Sequence, residues 1–172
     1  MDINMATNSV TLHSLEYKEA RTYGIAALFI VGNIVLPQLC HLLPAGGPTL
    51  LPIYFFTLVA AYKYGWKVGL LTAVASPLIN SALFAMPAAA ALPAILTKSL
   101  LLAAAAGFAA HKFRSLSLPL LLAVVLFYQV VGSLAEWALT GSLAAALQDF
   151  RIGIPGMLLQ ILGGYLLVKH LK

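Results

Sequence analysis

The chain has 172 residues, of which 62% are hydrophobic and 9% charged, with a formal net charge of +5. A mean hydropathy of +0.96 excludes a soluble globular domain, whose surface needs far more charge. The basic excess would admit nucleic-acid binding, but its placement between apolar runs belongs to membrane topology, so no nucleic-acid partner is expected.

Residues 1–16 read as a short polar cytoplasmic tail. Met1–Ser14 is polar, and Asp2 stands where a signal peptide wants positive charge. Residues 17–172 read as one membrane domain: an all-α integral membrane protein, a compact bundle of six transmembrane helices with both termini cytoplasmic. Residues 22–62 carry no Asp, Glu, Lys or Arg. That is room for two spans around a turn at Pro44, Gly46, Gly47 and Pro48. The expected spans are Lys18–Leu39, Leu50–Tyr64, Trp66–Phe84 with Pro77 inside it, Leu92–His111, Ser117–Leu139 and Ile152–Leu171. Lys18, Arg21, Lys63, Lys67, Lys112, Arg114, Lys169 and Lys172 then all fall at one end, and Arg151 at the other. The positive-inside rule makes the first end cytoplasmic and the bilayer the immediate partner.

The fourth span contains Lys98. An ammonium in hydrocarbon costs about 2.5–3.5 kcal/mol on insertion scales and is normally paired, snorkelled or functional. This topology puts Lys98 in the outer third of its helix, where Glu136 of the fifth span also lies. Asn33 and Asn80 share the outer part, and Gln129 and Gln160 lie near mid-depth. His41 and Arg151 stand at the outer end. Helical spacing puts Gln129, Gly132, Ser133 and Glu136 on one face. It does the same for Gly153, Gly156, Gln160 and Gly163, and for Gly69, Ala73, Ser76 and Asn80. Small residues in such stripes let helices pack closely in lipid. The amides serve equally for interhelical hydrogen bonds or ligand contact. Lys98 and Glu136 serve nearly equally as an intramembrane ion pair or as ligand contacts, and the two roles are compatible. Tyr54, Tyr128 and Trp137 are candidates to stack on a ring, although aromatics near span ends are usually interface anchors.

On the first span, Ala20, Gly24 and Ala27 form a small-residue patch out of phase with Asn33, suited either to bundle packing or to docking another membrane helix. The lone Cys40 beside His41 lacks the spacing of a metal site. There is no HExxH, GxSxG or P-loop. No enzyme, metal or cofactor is therefore expected, and any ATP use belongs to a partner.

The run Leu36-Pro37-Gln38-Leu39-Cys40-His41, then Gly47-Pro48, Leu51-Pro52, Gly65, Gly69, Pro77 and Ala85-Met86-Pro87 resembles the substrate-binding S components of energy-coupling factor (ECF) transporters. Arg151-Ile-Gly-Ile-Pro-Gly156 with Gln160 is similar to their last helix. The resemblance implies a six-helix subunit of the bacterial cytoplasmic membrane that captures a vitamin or related micronutrient near the outer face. The loop Gln38–Pro48 would cover that pocket. It also implies a membrane T component and two ABC-type ATPases as partners, with the first helix as docking face. In place of the family's Ala-x-x-x-Ala, this chain has Ala20-x-x-x-Gly24. Ile53-Tyr54 stands where similar sequences carry Met-His, and Thr97-Lys98 where they carry a Glu. An acid exchanged for Lys98 points to an anionic ligand. The rival reading is a ligand-free structural scaffold, in which Lys98 and Glu136 merely neutralise each other. A membrane enzyme ranks last.

Overall fold

The computed structural model describes residues 10–171. Asp2, the first nine residues of the expected tail and Lys172 lie outside the described residues. All regular structure among the described residues is helical. Six longer helices, α1 (Ala20–Cys40), α3 (Pro52–Tyr64), α4 (Trp66–Phe84), α5 (Leu92–Phe113), α6 (Leu118–Thr140) and α9 (Ile154–His170), are joined by short ones. These are α2 (Gly46–Leu50), α7 (Leu143–Ala146) and α8 (Gln148–Ile152), with a 3₁₀ turn at Ala89–Ala91 before α5.

The helix ends follow local chemistry. Pro52, Pro93, Pro119 and Pro155 each stand in a first turn, where a missing N–H costs nothing. The Ser117 hydroxyl caps α6 by accepting from the Leu120 amide at 3.3 Å. Gly65 (φ 98) and Gly141 (φ 68) turn the chain after α3 and α6 in a region that side-chain-bearing residues avoid. Four helices are long and apolar enough to cross a membrane: α1, α4, α5 with its leading 3₁₀ turn, and α6. The chain is accordingly a multi-pass membrane protein by the length and composition of its helices.

The other two expected spans are shorter. At 1.5 Å per residue, the 13 residues of α3 cover roughly 20 Å and the 17 of α9 roughly 26 Å. Leu50 belongs to α2 rather than α3, because Leu51 is left-handed (φ 46) and breaks the helix before Pro52. Ile152 likewise closes α8 instead of opening the last span. The shortfall of α3 has a structural counterpart. Leu58, Val59, Ala60, Ala61 and Tyr62 are all 0% exposed, with α1, α4, α5 and α9 packed around them. A helix buried on every side needs no lipid-facing length.

Residues 10–16 are not a free tail. The His13 and Leu15 amides donate to the Lys63 and Tyr64 carbonyls at 2.8 and 3.1 Å. The His13 ring stacks on Tyr64 at 5.6 Å, Leu15 is buried, and Lys67 pairs with Glu16. The segment thus straps the end of α3.

Candidate functional site

A cavity of about 380 Å³ opens where α1, α4 and α6 end and where α3 and α5 begin. The sequence places Lys67, Lys112 and Arg114 at the opposite end of these helices. Pro37 and His41 form one wall; Gly47, Pro48 and Leu51 come from the α2 connection; Met86 and Pro87 come from the α4–α5 connection. Tyr54 of α3 lies at the cavity with 3% exposure, its ring 5.4 Å from that of Tyr128. The lining is mainly apolar, with one polar wall made by Lys98, Glu136, Gln148 and Asp149.

Lys98 centres that wall. Its ammonium lies 2.6 Å from Glu136 Oε2 and 2.8 Å from Asp149 Oδ2, and Lys98 itself is 3% exposed. Gly132 makes this placement possible, since a Cβ there would lie 2.5 Å from Lys98 Cγ. The lysine stem therefore crosses α6 where that helix has no side chain. Asp149 arrives by a comparable device. A Cβ on Gly156 would lie 2.5 Å from the Leu50 carbonyl carbon and oxygen. Backbone contact between α9 and α2 thus seats the segment that carries α8 and Asp149. No family model matches the chain, and no curated protein or solved structure matches it. The functional reading rests on this geometry and on the sequence.

Of the candidates from the sequence, the structure gathers Lys98, Glu136, Tyr54 and His41 around the cavity. His41 is fixed there by donating its Nδ1 proton to the Pro37 carbonyl at 2.6 Å. The remaining candidates lie elsewhere. Asn33 joins α1 to α3 and α4: its Nδ2 donates to Thr57 Oγ1 at 3.0 Å and Ser76 Oγ at 3.2 Å, and its Oδ1 accepts from the Phe56 amide at 3.1 Å. Asn80 Nδ2 donates to the Asn33 main-chain carbonyl at 2.8 Å. That carbonyl is the one four residues before Pro37, which has no N–H to offer it. Asn80 thus repairs the break in α1 rather than facing a ligand.

Tyr128, Gln129 and Gln160 are 0% exposed and do not line the cavity. The Tyr128 hydroxyl donates to Gln160 Oε1 at 2.8 Å. Gln129 makes no side-chain hydrogen bond among the described residues. Trp137 is 47% exposed and points outward, because the neighbouring Glu136 takes the inward face of α6. Arg151 is exposed and off the cavity. Of the covering loop Gln38–Pro48, the residues His41, Gly47 and Pro48 reach the cavity, and Gln38 does not. The Ala20, Gly24 and Ala27 patch lies on the exposed side of α1, with nothing within 4 Å of a Cβ built on Gly24.

Sequence reasoning missed Asp149. It is the sole acid between Glu136 and the C-terminus, in a connection at the same end as Lys98. That was the available signal. Asp149 adds a second carboxylate beside Lys98, which weakens the case for an anionic ligand drawn from the lysine alone.

Proposed function

We propose that the protein is the substrate-capture subunit of an ECF-type importer in the bacterial cytoplasmic membrane. In this reading α3 and α9 complete six crossings, both termini are cytoplasmic, and the cavity faces outward to take up a vitamin or related micronutrient. The observation that carries the reading is the cavity itself. It lies at the end of the bundle away from most of the basic residues, and it combines an apolar body with one polar wall. Ligand sites of small molecules have this composition and a comparable volume. Uptake would then be driven by partners: a membrane T component docking on the exposed Ala20, Gly24 and Ala27 face of α1, and two ABC-type ATPases.

Binding of a vitamin panel to the protein purified in mild detergent tests this. A stoichiometric complex with one member is expected; no binding across the panel would sink the capture role. Gly24→Leu is expected to abolish co-purification with a co-expressed T component, and retained association would discard the α1 docking face. One observation favours the scaffold alternative, namely that Lys98 finds carboxylate partners within the chain. A scaffold gains nothing from a cavity of this size beside them.

A further inference from the structure

The charge balance of the polar wall carries an inference that rests on the capture reading and makes it specific. Of the Lys, Arg, Asp and Glu side chains, three line the cavity: one base, Lys98, and two acids, Glu136 and Asp149; the His41 imidazole lines it too, its Nδ1 held by the Pro37 carbonyl. The base is enclosed, with a side-chain exposure of 4%, whereas the acids keep 18% and 13%. Lys98 Nζ donates to Asp149 Oδ2 and forms an ion pair with Glu136 Oε2, one oxygen of each carboxyl group. The other two oxygens, Glu136 Oε1 and Asp149 Oδ1, accept no hydrogen bond among the described residues. An anion entering the cavity would lie beside two carboxylates that already crowd the lysine, and like charges at such range repel strongly away from bulk water. A cation or a cluster of N–H donors meets the reverse situation, with two acceptor oxygens available and an acidic excess to balance it. The other cation at this end, Arg151, is exposed and outside the cavity, so it does not offset that excess.

We infer that the cavity selects a cationic ligand, of the ammonium, amidinium or N-protonated heterocycle class. Its charged end is held by Glu136 and Asp149 while Lys98 keeps the two acids in place. Its apolar body lies between Tyr54, Ile95 and the proline-rich connections. Lys98 is then a positioning residue, and the two acids are the ligand contacts.

Three probes of one shape and different charge test this on the full chain in detergent: benzamidine, benzamide and benzoate, each titrated calorimetrically. Benzamidine is expected to bind at least about tenfold more tightly than either of the others. Glu136→Gln and Asp149→Asn should each shrink that preference severalfold. Benzoate or benzamide binding as well as benzamidine would overturn the inference, and that comparison on the unaltered protein holds even if a variant fails to fold. If none of the three binds, the molecule released by denaturing the purified protein decides by mass spectrometry. A cation supports the inference. An anion or neutral molecule overturns it and leaves the capture role intact. Where none is released, the charge of the vitamin-panel member that binds decides in the same way, and no binding across the panel removes the capture role and the inference with it.

Discussion

Pro37 deletes one N–H from α1, and the Asn80 side chain on α4 supplies a replacement at 2.8 Å. In water the orphaned Asn33 carbonyl would find solvent. At membrane depth it must find protein. Asn80→Leu is therefore expected to cost about 1–3 kcal/mol, the penalty of an unsatisfied buried acceptor. In a Pro37→Ala background, where the helix supplies its own N–H, the same change should cost much less. Thermal unfolding of the four proteins of this cycle checks it, and equal losses in both backgrounds would refute the repair. Lys98 sets a similar test. Lys98→Met leaves Glu136 and Asp149 facing each other without a cation. Breaking a buried pair costs about 3–5 kcal/mol, and the partial exposure of both acids points to the lower end. The triple variant with Glu136→Gln and Asp149→Asn should recover most of that loss in a thermal melt.

Among elements, close contacts through glycine decide how the helices meet. Gly156 touches the Leu50 backbone, whereas Gly24 faces open space. Gly156→Val should cost about 1–3 kcal/mol through overpacking, and more if the backbone cannot yield; Gly24→Val should cost far less, by thermal unfolding. The strap over α3 carries the pH dependence. Burial pushes the His13 imidazole below its usual pKa, helped by the positive charges of Arg21 and Lys63. The unfolded chain then binds that proton more readily than the folded one. The contribution to stability is complete above about pH 6.5 and declines as pH falls through that value. The Leu15 amide, bonded to Tyr64, should exchange faster at about pH 5.5 than intrinsic chemistry predicts, and His13→Phe should remove the effect. An unchanged profile in that variant would place the pH response elsewhere.

The long elements were legible because their signals are long. Trp66–Phe84 lies where charge and glycine put it, and the Gly69, Ala73, Ser76 and Asn80 stripe is buried as its spacing requires. The short helices α2, α7 and α8 were not legible, since five residues or fewer carry no periodicity. Asp149 rides on one of them and was lost with it. Asn33 and Asn80 were visible as buried amides, but their mutual arrangement depends on which helices touch, and spacing within one helix cannot supply that.

At the scale of the whole molecule, the cavity and most of the basic residues occupy opposite ends, and the proposed topology predicts a labelling pattern. In a Cys40→Ala background, a thiol at Leu42, 79% exposed at the cavity end, should react with an impermeant reagent added outside intact cells. A thiol at Arg114 should react only after the cells are opened. The reverse pattern would invert the topology and put the cavity inside. The enclosure of α3 has one more consequence, for the order of synthesis. This helix emerges early, yet one wall of its cage, α9, is made only after α4, α5 and α6. Until α9 arrives, a segment too short to span the bilayer with ease lies partly uncovered. The enclosure of α3 therefore waits for Ile154–His170, and a product cut short before Ile154 would present that uncovered side to the membrane's proteases.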